Sequence, residues 1–288
     1  VSLASATLAP ERLEAFEAFA LELATVAAEA ILPLFRAGVG VEDKGHPDKP
    51  GVAAVRFDPV TAADRGAEAA IRKAIAARFP DHGVIGEEYG EDRPDAAFVW
   101  VLDPIDGTRA FIAGIPLWTT LIALRFQGAP VVGLIGQPYL DEAFVGSAAG
   151  ARLVRRGGAR ALRVRPCAGL ADASVGVTDP LAYFTAPEQA AFARVRAAAR
   201  LTRLGGDAYF FALAALGTLD LVVEPAACKA WDIEAAIPLM HGAGGIMTDW
   251  RGDEIGSAGG QVLLAGDPRC HEQAMRLLES EATRPPLP

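Results

Sequence analysis

The segment Trp100-Val101-Leu102-Asp103-Pro104-Ile105-Asp106-Gly107-Thr108 sets how this chain folds around its chemistry. With Val99 before it, Trp100 to Leu102 is a short apolar run that stops at an acid and a proline, the pattern of a buried strand. Pro104 has no N–H to give to a ladder, so the strand is expected to release the chain there. Asp103 and Asp106 then lie at a strand end, where side chains from several segments can converge. Two carboxylates three residues apart, with the Ile105 carbonyl between them, offer the all-oxygen ligands that a hard divalent cation takes. Gly107 and Thr108 can present backbone N–H groups at a helix start, a favourable place for a phosphate. An isolated D-P-x-D-G-T also fits a capped turn with solvated acids, so the rest of the chain has to choose between the two.

The 288 residues suffice for one large domain or two closely joined ones. Hydrophobic residues make up 51% and charged residues 22%, an ordinary globular composition, and no apolar run reaches the roughly 18 residues of a membrane span. Val1 to Pro10 shows no basic region followed by an apolar core, so no secretory signal is expected. Cys167, Cys228 and Cys270 are far apart in sequence and in no metal-like pairing. That usage points to a reducing compartment, read as the cytoplasm, and away from a disulfide framework or a zinc site. The net charge is −9, with no basic cluster denser than Arg152–Arg165, which argues against nucleic acid as a partner. An acidic protein that handles phosphate needs local positive charge, and a divalent metal supplies it.

Pro10 opens an amphipathic helix whose stripe of Leu13, Phe16, Ala20, Leu23, Ala27, Ile31 and Leu34 is core or subunit interface. Residues 38–59 read as a loop or frayed hairpin in which Lys44 either reaches a phosphate or is simply solvated. Thr61 is a natural cap for the helix that follows, with Asp64 in its first turn. Val84 to Glu88 reads as a strand, in which alternation would send Glu87 and Glu88 to opposite faces, and residues 89–97 read as a surface loop. After Thr108, strands at 119–126, 130–137, 142–146, 150–155 and 160–165 form an antiparallel meander. From about residue 167 strands and helices alternate, so the expected organisation is an α+β metal-binding half, 1–166, and an α/β half, 167–288, that completes the site. In the second half Asp232 is placed as the cap of a helix over 232–242, and Gly205-Gly206 precede Asp207 at another helix start. Thr283 to Pro288 reads as a frayed tail.

Asp64, Glu87, Asp103, Asp106 and Asp232 thus sit at strand ends or helix starts in separate segments. If they converge, their carboxylates cannot all ionise without cations. No histidine or cysteine joins them, which favours Mg²⁺ over Zn²⁺. The chain lacks a G-x-S-x-G elbow, a P-loop and a G-x-G-x-x-G fingerprint, so metal-assisted hydrolysis of a phosphate ester is the best chemical reading.

Gly86-Glu87-Glu88, the D-P-I-D-G-T segment and Trp231-Asp232 followed by Gly242-Ala243-Gly244-Gly245 resemble the inositol monophosphatase family of Mg²⁺-dependent, lithium-sensitive phosphatases. The resemblance spans about residues 10 to 280 and implies a layered αβαβα sandwich and a homodimer. It implies that Glu87, Asp103, the Ile105 carbonyl, Asp106 and Asp232 hold two or three Mg²⁺ ions, with Asp64 supporting a further metal and the water. Glu87 and Thr108 would orient that water for direct in-line attack, while the Gly107 and Thr108 N–H groups hold the phosphate.

Arg109-Ala110-Phe111-Ile112, Gly114 to Leu124 and Gly205-Gly206-Asp207-Ala208-Tyr209 resemble the histidinol-phosphatase branch, which implies a role in histidine biosynthesis. The chemistry agrees, since histidinol phosphate carries an amine and an imidazole that Asp207, with Glu224, would attract. Arg109 and Lys44 complete the expected substrate contacts. Trp231-Asp232 is the inositol-type spelling, so an inositol-1-phosphatase or a broad sugar phosphatase is the alternative, and a non-catalytic metal-binding relative is the reading from another class.

Overall fold

The structure is a computed structural model that describes residues 8–38, 40–43, 59–255 and 258–279. Lys44, most of the 38–59 segment and the 283–288 tail therefore lie outside the described residues. The first helix, α1 (Pro10–Ile31), is followed by a short antiparallel pair, β1 (Val41–Asp43) with β2 (Pro59–Thr61), and then by α2 (Ala62–Arg78). Thr61 caps α2 as expected, in a reciprocal box with Asp64. Strands β3 (Gly83–Gly86), β4 (Gly90–Asp92) and β5 (Phe98–Asp106) come next, with α3 (Thr108–Ile112) after them. The meander β6 (Thr119–Phe126), β7 (Ala129–Gln137), β8 (Glu142–Ser147), β9 (Gly150–Arg155) and β10 (Gly158–Ala161) completes an eight-stranded sheet of order β10-β9-β8-β7-β6-β5-β3-β4.

Two expectations change here. The 89–97 stretch is not all loop, because Gly90 takes φ +68° and turns Glu91 and Asp92 back along β3 as an exposed edge strand. Its acidic side chains suit an edge that must not recruit another strand. The sheet is also mixed, since β3 runs parallel to β5 and only the remaining pairs are antiparallel.

The second half contains β11 (Ser174–Val177), α4 (Pro180–Tyr183), α5 (Ala186–Ala198), β12 (Leu201–Leu204), α6 (Asp207–Ala215) and β13 (Leu221–Glu224). It ends with α7 (Ala230–Ile233), α8 (Ala236–Gly242), β14 (Ile246–Thr248), β15 (Val262–Ala265) and α9 (Pro268–Leu278). The five strands pair in the order β12-β11-β13-β15-β14, with β11 parallel to both its neighbours.

Alternation along the strands shows how the layers stack. In β5, Trp100 and Leu102 pack with Phe16, Leu23 and Ile71 of α1 and α2, so the apolar stripe of α1 is this chain's own core. Val99 and Val101 face the other way and pack with Phe210 of α6, Leu239 of α8 and Leu264 of the second sheet. The far face of the second sheet, with Val175 and Leu263, meets Phe192 of α5 and Ala274 of α9. The result is an αβαβα sandwich in which β5 is covered on both faces, which is why it reads as an unbroken apolar run. Gly133 of β7 lets α8 approach closely, since a Cβ there would sit 2.0 Å from the Ala235 carbonyl oxygen.

Under α1, His82 is sandwiched between Phe79 (centroids 4.4 Å, 6° between planes) and Phe98 (4.9 Å, 18°). Its Nδ1 accepts a hydrogen bond from Trp100 Nε1 at 3.1 Å. Burial, with the Arg12 charge second, lowers its pKa from the usual 6.5 to about 4. A depressed histidine pKa contributes stability that is complete above about 6.5 and is lost as pH falls toward about 4, because the unfolded chain protonates first. Calorimetric Tm should therefore fall between these pH values, and His82→Gln should flatten that part of the profile.

Candidate active site

Five segments converge where β5 ends. The strand does not release the chain at Pro104; it continues to Asp106 through a shift in register, from Asp103 opposite Leu121 to Asp106 opposite Thr119. This bulge takes up the proline's missing donor, and Thr120 Oγ1 donates to the Pro104 carbonyl at 2.8 Å. Asp103 Oδ1 accepts the Ile105 N–H at 3.0 Å, which aims the carboxylate across the turn. Gly107 takes φ +80° and starts α3, and Thr108 Oγ1 donates back to the Ile105 carbonyl at 3.1 Å. Asp106 Oδ2 accepts the Ala208 N–H from the first turn of α6 at 2.8 Å. Tyr209 anchors that same turn by donating to Glu142 of β8 at 2.6 Å.

Asp232 arrives from the second half, but not as the cap of an unbroken helix. It is the third residue of α7 and reaches back to accept the Lys229 N–H at 2.6 Å, and a break before Ala236 separates α7 from α8. Carboxylate oxygens of Asp103, Asp106 and Asp232 lie within 4.8 Å of one another. Burial raises the pKa of Asp103 well above the ordinary carboxylate range, and the charges of Glu87, Asp106, Asp232 and Asp64 raise it further. Asp106 is raised well above that range too, by burial first and then by Asp207 and Asp232. Such a group is unfavourable as bare carboxylates, and its all-oxygen donor set fits a hard divalent cation.

Glu87 and Asp64 stand outside this close triad and act on Asp103 through their charges. The strand-alternation argument for Glu87 and Glu88 fails because β3 stops at Gly86, leaving both acids in a turn. Glu88 accordingly acts on Asp64, whose pKa is raised by burial first, against the lowering by Thr61. Thr61 Oγ1 donates to Asp64 Oδ2 at 2.6 Å, so the same carboxylate caps α2 and faces the cluster.

Of the expected substrate residues, Asp207, Glu224 and Arg109 group near Gly107, and Lys44 lies outside the described residues. A Cβ on Gly107 would stand 2.9 Å from Asp207 Oδ2, so glycine is needed there for space as well as for its positive φ. Glu224, at the end of β13, is buried, and that burial, followed by the Asp207 charge, raises its pKa well above the usual range. Arg109 lies over the Tyr183 ring at 5.0 Å, and its positive charge lowers the Asp207 pKa against a larger rise from burial. Burial, and then the Glu224 charge, pushes the pKa of the Cys228 thiol up.

Reading the sequence missed the residues that hold these acids in place. Glu68, fully buried on α2, accepts the N–H groups of Glu88 (2.8 Å) and Tyr89 (3.2 Å) and pairs with Arg72 Nε (2.7 Å). Its signal was its position four residues after Asp64, on the same helix face. Arg125 of β6 grips Glu234 with both ends of its guanidinium, including Nε to Oε2 at 2.7 Å, two residues beyond Asp232. An arginine between the apolar run Leu121-Ile122-Ala123-Leu124 and Phe126 was the clue to that pair.

Among the described residues no helix is long and apolar enough to cross a membrane. A sequence profile of the inositol monophosphatase family matches residues 12–283. The chain is 37% identical over 282 residues to the chloroplastic bifunctional phosphatase IMPL2 of Arabidopsis thaliana, covering 94% of this chain and 77% of that one. It is 30% identical to the histidinol-phosphatase of Mycobacterium tuberculosis, covering 90% and 98%. An inositol monophosphatase structure from Zymomonas mobilis superposes with a TM-score of 0.79 at 39% identity, covering 93% and 98%. With the acids grouped at the end of β5 and the sandwich around them, this chain belongs to the inositol monophosphatase family and is a metal-dependent phosphatase.

Proposed function

We propose that this chain is a Mg²⁺-dependent histidinol-phosphatase, releasing phosphate from L-histidinol phosphate in histidine biosynthesis. The observation that carries the reading is the pair of carboxyl groups Asp207 and Glu224 near the Gly107 turn, both hydrogen-bonded to Thr178, acceptors suited to an amine-bearing ester. Asp103, the Ile105 carbonyl, Asp106, Asp232 and Glu87 are the residues that would hold the metals, with Asp64 beside them. When bound, such ions supply charge neutralisation and acidify a water nucleophile. Thr108 and Glu87 orient the attacking water, and the N–H groups of Gly107 and Thr108 hold the phosphate. Arg109 joins the substrate contacts, and Lys44 would reach in from outside the described residues. We take residues 1–166 and 167–288 as two halves of one catalytic unit, because Asp106 is fixed by an N–H from α6. The family resemblance supports a homodimer, and the cysteine usage supports a cytoplasmic location.

The M. tuberculosis relative supports the histidinol reading. The second reading, an inositol-1-phosphatase or broad sugar phosphatase, is favoured by Trp231-Asp232 and by the Z. mobilis structure. Side-by-side kcat/KM values with Mg²⁺ for histidinol phosphate and inositol-1-phosphate separate the two. The expected result is a preference for histidinol phosphate of about 100-fold, or about 2.7 kcal/mol, largely lost in Asp207→Asn. Equal rates, or a preference for inositol, would sink the histidinol assignment and leave a metal-dependent phosphatase.

A further inference from the structure

Asp207 is held in an unusual way. Its backbone lies in the left-handed region at φ +42°, where an L side chain is strained, and its carboxylate is wedged beside Gly107. Strain of this kind persists only where neighbours fix the residue from more than one side. On one side, the next N–H, that of Ala208, is committed to Asp106. On the other, Thr178 Oγ1 donates to Asp207 Oδ1.

Thr178 also makes a second contact from the same residue. Its backbone N–H donates to Glu224 Oε1 at 3.0 Å. It stands just past the end of β11, and the next residue, Asp179, caps α4 through the Leu181 N–H at 3.0 Å, so the position of Thr178 is itself fixed. One residue therefore touches both carboxyl groups and sets their spacing. Without the hydroxyl, Asp207 would keep its strained backbone but lose the donor on Oδ1, and the positive charge of Arg109 would compete for it.

We propose that Thr178 is a positioning residue that locks Asp207 against Gly107 and Glu224 beside it, and thereby sets the preference for a cationic phosphate ester. This rests on the reading of Asp207 and Glu224 as the amine-recognising pair. A lost hydroxyl to a carboxylate is the kind of change that alters recognition of the cation while leaving the chemistry at Asp103 and Asp106 alone.

The test uses the full chain with Mg²⁺ and compares the parent, Thr178→Val and Thr178→Ser on histidinol phosphate and inositol-1-phosphate. Thr178→Val should raise KM for histidinol phosphate about tenfold with kcat within about twofold, leave KM for inositol-1-phosphate unchanged, and be rescued by Thr178→Ser. Equal KM shifts for both esters, or none, would overturn the proposal. A crystal structure of Thr178→Val reads the positioning independently of substrate. An Asp207 carboxylate turned away from Gly107 supports the role of Thr178, and one left in place overturns it. If the parent shows no preference for histidinol phosphate, the substrate reading fails, and the structure of the variant still decides the role of Thr178.

Discussion

Asp103→Asn is expected to lower kcat/KM for any phosphate ester by about 10³-fold or more, beyond the 10–100-fold typical of losing a partner that only supports a metal ligand. Asp103 is the buried member of the triad with Asp106 and Asp232, and its pKa is raised by burial and by the charges of Glu87, Asp106, Asp232 and Asp64. Those same influences make its charge a cost to the metal-free protein, so the amide should not lower the metal-free Tm. The parent should gain Tm on addition of Mg²⁺ through linkage of binding to folding, and the variant should gain little. Calorimetry with and without the metal, beside the activity assay, separates a lost metal site from a lost fold. A variant as active as the parent would show that the triad is not the metal centre.

Breaking the Arg125–Glu234 pair should have the largest effect on stability. Both side chains are buried, and burial raises the Glu234 pKa against the lowering by Arg125. Removing either partner strands a charge in the interior, so Arg125→Ala or Glu234→Ala should cost about 3–5 kcal/mol in urea unfolding. Replacing both, as Arg125→Met with Glu234→Leu, should recover most of that loss, because two apolar side chains need no partner. The pair also ties β6 to the α7–α8 junction beside Asp232, so the double variant should need more Mg²⁺ for half-maximal activity even when its stability is restored. A double variant no more stable than the single ones would show that the cost lies in packing and not in the stranded charge.

How much of this was legible in the sequence depended on whether the signal was local. The apolar stripe of α1, the Thr61 cap of α2 and the apolar run of β5 each follow from a few neighbouring residues and were read as such, whereas the reciprocal bond from Thr61 to Asp64 was not. Pro104 was read by its missing donor alone, whereas the partner strand accommodates it through a bulge that only the pairing with β6 reveals. Asp232 was placed as a cap because an acid before a helical pattern usually is one, but the helix starts two residues earlier and breaks before Ala236. Glu68, Arg125 and Thr178 escaped notice because the contacts that tie them to the site reach 20, 109 and 29 residues along the chain, so a local signal such as the spacing of Glu68 from Asp64 does not show what they hold. The acids that gather at the end of β5 were visible by type and position, and the groups that hold them were not.

The hydrogen bond from Ala208 to Asp106 has a consequence for how the protein is made. A ribosome delivers the strand bearing Asp103 and Asp106 about a hundred residues before it delivers Ala208, and longer still before Asp232. During that interval the emerging chain holds four of the five acids without Asp232 or the α6 N–H that braces Asp106, and with one face of its first sheet uncovered. On the proposed reading the centre is complete only when α6 and α7 dock, which couples activity to the folding of the second half. A chain at that stage leaves a sheet face bare, which makes it a natural client for chaperones.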